Sequence, residues 1–151
     1  LTFNNYTLEV MLIVENCRFD IEINQLQLNA PKISGSVLNL QLEEHQKASK
    51  NIFNKIDRLF PKFQHARLEN DVEKLKEIRN EMNTIESEFT AFSIDFIEKN
   101  SNSYVAPMIL RDLIKSPAMD SLKIRALYMK FPDSIKESTD SKIIAKYLDL
   151  P

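Results

Sequence analysis

Only one of the 151 residues is a glycine, only one is a cysteine, and tryptophan is absent. The lone glycine excludes an intact Gly-rich phosphate loop, of either the GxxxxGK[ST] or the GxGxxG kind, and also a GxSxG nucleophile elbow. The lone cysteine excludes a CxxC redox pair, an intrachain disulfide and any multi-cysteine zinc site within this stretch. Charge of one sign is lacking as well. Twenty Lys and Arg stand against 22 Asp and Glu, a formal net charge of -2, which leaves no large field to draw nucleic acid or an anionic membrane. No apolar run approaches the ~18 residues of a membrane span. The opening LTFNNYTLEV does not have the basic-then-apolar layout of a signal peptide. What is present is ordinary for one soluble domain: 43% hydrophobic and 28% charged residues, at a length that buries roughly 70% of the unfolded surface.

The first 35 or so residues carry strand patterns. Tyr6–Val14 is a short apolar run with β-branched and aromatic residues. Arg18–Asn24 alternates, with Phe19, Ile21 and Ile23 on one face and Asp20, Glu22 and Asn24 on the other, the period of a half-buried strand. Together the two runs predict a hairpin, although Glu15-Asn16-Cys17 is a weak turn sequence. A third extended stretch, Gln25–Ile33, is interrupted by Pro31, which belongs at an edge or outside the sheet. Gly35 marks the change from strand to helix period.

From Ser36, a reasonable N-cap, the pattern is helical. A first long helix carries Ile52, Ile56, Leu59 and Phe63 on one stripe, and Pro61 is expected to kink or end it. Asn70 or Asp71 caps a second. Its apolar positions Leu75, Ile78, Met82, Ile85, Phe89, Phe92 and Phe96 alternate steps of three and four, which makes one continuous seam. Two such helices joined by a short polar link predict an antiparallel helical hairpin. Three shorter helices are expected after it. The first is capped by Ser103, runs to about Lys115 and has Pro107 in its first turn. The second is opened by Ser116-Pro117 and closed by Pro132. The third is capped by Ser138 or Thr139 and carries Ile143, Ile144, Tyr147 and Leu148. No repeat of about 20–50 residues is visible, which disfavours a solenoid. The expected fold class is α+β, mostly α: short N-terminal antiparallel strands, a long αα-hairpin and three shorter helices. The end of a β-region occupies residues 1–35 and a helical region 36–151 packs with it as one domain.

Candidate chemistry is sparse. Cys17 has only Arg18 as a nearby cation and reads as a small strand residue with no chemistry. His45 and His65 lie twenty residues apart. Neither HExxH nor any other ligand spacing joins them, even with Glu43 and Glu44 beside the first, so no metal is expected. Glu73, Glu77, Glu81, Glu86 and Glu88 interleave with Lys74, Lys76 and Arg79 as a solvated helix face rather than an acid–base pair. Phe89, Phe92 and Phe96 fit a core better than a ligand pocket, because they continue the seam. No Ser/His/Asp arrangement can be drawn. The residues by themselves point to no enzyme and no cofactor.

Four stretches resemble a known family. VENCRFDIEI (Val14–Ile23) followed by ISGSVLN (Ile33–Asn39) resembles the end of an N-terminal domain of unknown function in bacterial TlpA-like thiol–disulfide oxidoreductases, relatives of the AhpC/TSA superfamily. Gly35, Ser36 and Asn39 match that family's V-x-G-S-x-x-N step into a long helix. DFIEKNSNSYVAPMIL (Asp95–Leu110) is similar to its F-I-x-x-N-P/x-S-Y-x-A/S segment through Phe96, Ile97, Asn100, Ser103, Tyr104 and Ala106, and LYMKFPDSIKES (Leu127–Ser138) to the run-in to its thioredoxin-like domain. The resemblance implies an exported, periplasmic parent protein, often held by an upstream lipid anchor, whose redox chemistry lies in a downstream CxxC domain. This chain is then a non-catalytic module whose partner is the thioredoxin-like domain of the same parent chain. The family's β-domain is longer than the strands here, so an exposed sheet edge would allow a homodimer. Two other readings stand beside it: a free-standing helical adaptor that binds a protein through its hairpin, and a small-molecule site in the Phe cluster.

Overall fold

A computed structural model describes residues 2–3, 6–7, 11–24 and 31–150. Compactness divides the chain into Leu1–Glu44 and His45–Pro151. In the first unit lie two antiparallel ribbons, β1 (Thr2–Phe3) with β2 (Tyr6–Thr7), and β3 (Asp20–Glu22) with β4 (Lys32–Ser34). Ile21 faces Ile33 in the second ribbon. The hairpin expected between Tyr6–Val14 and Arg18–Asn24 is therefore corrected: the partner of β3 is β4. Residues 11–14 form no strand, residues 8–10 lie outside the described residues, and so do residues 25–30 of the third extended stretch. The reason is local. Glu15-Asn16-Cys17 offers no glycine for the positive φ of a tight hairpin, and the backbone at Ile13 is taken instead by a side chain, that of Asn39. Pro31 stands outside the ladder, just before β4, where its missing N–H costs nothing.

Helix α1 (Val37–Leu68) starts in the first unit and continues into the second; α2 is Val72–Lys99. The expected break at Pro61 does not occur, since α1 runs seven residues past it. Pro61 lies on an exposed face, so water can take the Asp57 carbonyl that the missing N–H leaves free. The turn between the helices divides two roles. Asn70 ends α1 in the left-handed conformation (φ 52°), with Asp71 N–H on the Ala66 carbonyl at 2.9 Å and Asn70 N–H on that of Arg67 at 3.3 Å, a Schellman closure. Asp71 begins α2, its carboxylate accepting from Lys74 N–H at 2.9 Å. Between the helices, Ile52, Leu59 and Ala66 of α1 are buried with Ile78 and Ile85 of α2, and Ile56, Phe63, Leu75, Met82, Phe89 and Phe92 flank them. Lys55 pairs with Glu88 at 2.6 Å across the same two helices, in the antiparallel sense.

The remaining helices are α3 (Val105–Leu113), α4 (Ser121–Tyr128), α5 (Asp133–Lys136) and α6 (Thr139–Tyr147). Helix α3 packs on α2, α4 and α6, and its Val105, Ala106 and Leu110 have no solvent exposure. The Ser116-Pro117 start is corrected. Ser116 closes a turn, accepting from Met119 N–H at 3.0 Å, and the helix opens only after Asp120, whose carboxylate caps Lys123 N–H at 2.8 Å. Pro132 opens the short α5, which the periodicity did not reveal. Ser138 caps α6, and Asp149 (φ 51°) closes it by a second Schellman turn, with Leu150 N–H on the Ala145 carbonyl at 2.9 Å. Arg111 bonds Asp140, tying α3 to α6, and Arg125 donates to the Leu148 carbonyl at 3.1 Å. The architecture is α+β and mostly α, with two long consecutive helices, as the sequence predicts.

Candidate functional site

The residues singled out by the sequence fall at two joints, each within one unit. At the first, Gly35 holds φ +84°, and a Cβ there would stand 3.0 Å from the Arg18 carbonyl oxygen. That combination of positive φ and close backbone is what the chain's one glycine supplies. Ser36 follows as the cap of α1: its Oγ accepts from Asn39 N–H at 3.1 Å and from Asn39 Nδ2 at 2.6 Å, and donates to the Glu15 carboxylate. The Asn39 side chain then grips the backbone of Ile13 twice, Oδ1 accepting its N–H at 2.8 Å and Nδ2 donating to its carbonyl at 2.7 Å. Ser36 and Asn39 are buried. Burial makes these bonds obligatory, since an unpaired polar group there costs about 1–3 kcal/mol. The joint ties the segment around Ile13 to the first turn of α1.

The second joint ends α2 and begins α3. Asn100 donates twice to the Phe96 carbonyl, from its backbone N–H at 3.0 Å and from Nδ2 at 2.9 Å. Ser103 N–H reaches the Asn100 carbonyl at 2.8 Å, and Ser103 Oγ accepts from Val105 N–H at 3.2 Å. Tyr104 is the formal first cap of α3 and is half exposed, so the cap position shifts by one from the expected Ser103 although the serine hydroxyl still serves the helix. Phe96 is buried.

Phe96 also belongs to a cluster whose centre the sequence reading set aside. His45, weighed there only as a metal ligand, is buried on α1. Its ring stacks on Phe92 at 5.3 Å between centroids and meets Phe96 at 5.1 Å and Phe89 at 6.1 Å edge-on. Nε2 lies 3.0 Å from Ser93 Oγ and Nδ1 3.4 Å from Ser49 Oγ. Burial lowers the pKa of His45 below its usual value, and the charge of Asp112 opposes that shift in part. The signal was present in the spacing: His45 stands seven residues before Ile52, so the α1 stripe extends back through it. Phe89, Phe92 and Phe96 pack as seam residues around this ring.

The other candidates sit in solvent. Cys17 is free and exposed, with Sγ 3.7 Å from the Gly35 carbonyl oxygen. Glu77 and Glu88 are paired with Lys74 and Lys55, and His65 with Glu69, all on the surface. Among the described residues no three His, Cys, Asp or Glu side chains gather to hold a metal, and no helix is long and apolar enough to cross a membrane. Searches of protein-family models, curated proteins and solved structures return no match to this chain.

Proposed function

We propose that this chain is a non-catalytic N-terminal module of a periplasmic thioredoxin-like thiol–disulfide oxidoreductase, which positions the redox domain or carries its dimer and partner contacts. The observation that carries the reading is the use made of the resembling residues. Gly35, Ser36 and Asn39 hold one joint, and Phe96, Asn100 and Ser103 the other, through backbone capping and burial. Residues engaged in such work specify a shape, and a shape is what a positioning module contributes. The adaptor reading is weakened where it relied on the seam of α2, because α1 already covers that seam.

Thiol chemistry in the parent requires a pair of cysteines, one to attack and one to resolve the mixed disulfide. Cys17 has no second cysteine in this chain. In an insulin-reduction assay driven by dithiothreitol, the chain is expected to leave the rate at the reagent's own level, and Cys17→Ser to change nothing. Acceleration by the chain that disappears in Cys17→Ser would assign the chemistry to this module and contradict the proposal.

A further inference from the structure

Among the described residues, His45 is the only histidine, lysine, arginine or carboxylate side chain that is buried. Its hydrogen bonds favour one tautomer of the neutral ring. Ser49 Oγ donates its proton to the His45 carbonyl at 2.7 Å, so toward Nδ1 it can only accept, which places the ring proton on Nδ1. Nε2 is then the acceptor of the Ser93 hydroxyl proton at 3.0 Å. A second ring proton enters at Nε2, where the Ser93 hydroxyl turns from donor to acceptor, and the resulting cation sits among three phenylalanine rings.

The surroundings offer little to balance that charge. The neighbours on α2, Phe89, Phe92, Ser93 and Phe96, carry none, and Ser49 on α1 carries none. From α3 the group that acts on the ring is Asp112, which favours the charged form and whose Oδ1 accepts from Arg111 at 3.1 and 3.0 Å. Toward the Asn70 turn the same two helices meet through Leu59, Ala66, Ile78 and Ile85, none of which can titrate.

We propose that His45 is a proton-operated latch at the end of the α1–α2 hairpin remote from the Asn70 turn: neutral, it closes the aromatic seam, and on protonation it leaves the seam and lets that end part while the turn end stays closed. The sign follows from linkage. Burial lowers the ring's pKa in the closed form, so the opened form binds the proton more tightly. The closed form is fully favoured above the ordinary histidine value of about 6.5. It loses ground as pH falls from there toward the depressed value, by up to about tenfold in the open-to-closed ratio per pH unit.

The test is proton NMR of the histidine rings, with amide hydrogen exchange corrected for intrinsic rates, from pH 7.5 to 4.5 on the chain as described. His45 is expected to titrate below the ordinary value, with exchange rising at residues 45–56 and 89–100 and holding steady around Ala66 and Ile78. His45→Phe and His45→Gln are each expected to remove the pH dependence. Overturning results are titration of His45 without faster exchange at its end of the hairpin, equal acceleration at both ends, or the same pH dependence in either variant. Should neither variant fold, the wild-type titration and exchange map decide alone.

Discussion

At the scale of single residues, the molecule spends its few special side chains on joints. Asn39 shows this most clearly, because one amide satisfies both the donor and the acceptor of Ile13. Asn39→Ala leaves both of those groups unpaired beside a buried position. A loss of about 1–3 kcal/mol is expected by urea denaturation, with the Ile13 amide losing its exchange protection. Unchanged protection at Ile13 would contradict the role assigned to that side chain. Gly35 and Ser36 were legible as a boundary because glycine and a capping hydroxyl act on their own backbone. The grip of Asn39 on Ile13 was not legible, since it joins residues 26 apart in sequence. His45 illustrates a different failure. Its chemistry invited a search for metal ligands, whereas its place on the α1 stripe already assigned it to the seam.

At the scale of elements, the long helices were the most legible part, because their signals are local and redundant. Period, caps and the polar turn all agree from Ile52 to Phe96, and the buried set follows the predicted stripe. Where one residue spoke against that agreement, at Pro61, the agreement prevailed. An internal proline costs a helix about 3 kcal/mol relative to alanine, partly offset by its restriction of the unfolded chain. Pro61 is exposed and so gives little back in packing. Pro61→Ala is therefore expected to stabilise the chain by about 2 kcal/mol in chemical denaturation, and a destabilised variant would show that the proline itself is needed in α1. The strands were least legible. Their pairing is set by what closes around them rather than by alternation, and β3 stays exposed along its length, Ile21 included at 40%. Helices α4 and α5 were misjudged for a related reason. In short helices a single cap decides the start, and Asp120 and Pro132 compete with neighbours of equal promise.

At the scale of the whole molecule, the described residues form a helix-dominated α+β chain. Arg111 with Asp140, and Arg125 with the Leu148 carbonyl, fasten the last helices to that body. A well-fastened carboxyl-terminal side suits a platform that presents a following domain at a fixed angle, which is the role proposed here. The fold class could be read from period and composition alone, while the functional reading rests on resemblance and on the structural use of the resembling residues. The measurement that tests it most directly is the complete reading frame of the parent gene on both sides of these residues. The account predicts an export or lipoprotein signal upstream and a CxxC-bearing thioredoxin-like domain starting soon after Pro151. A stop codon immediately after Pro151 would contradict it and leave a helical adaptor.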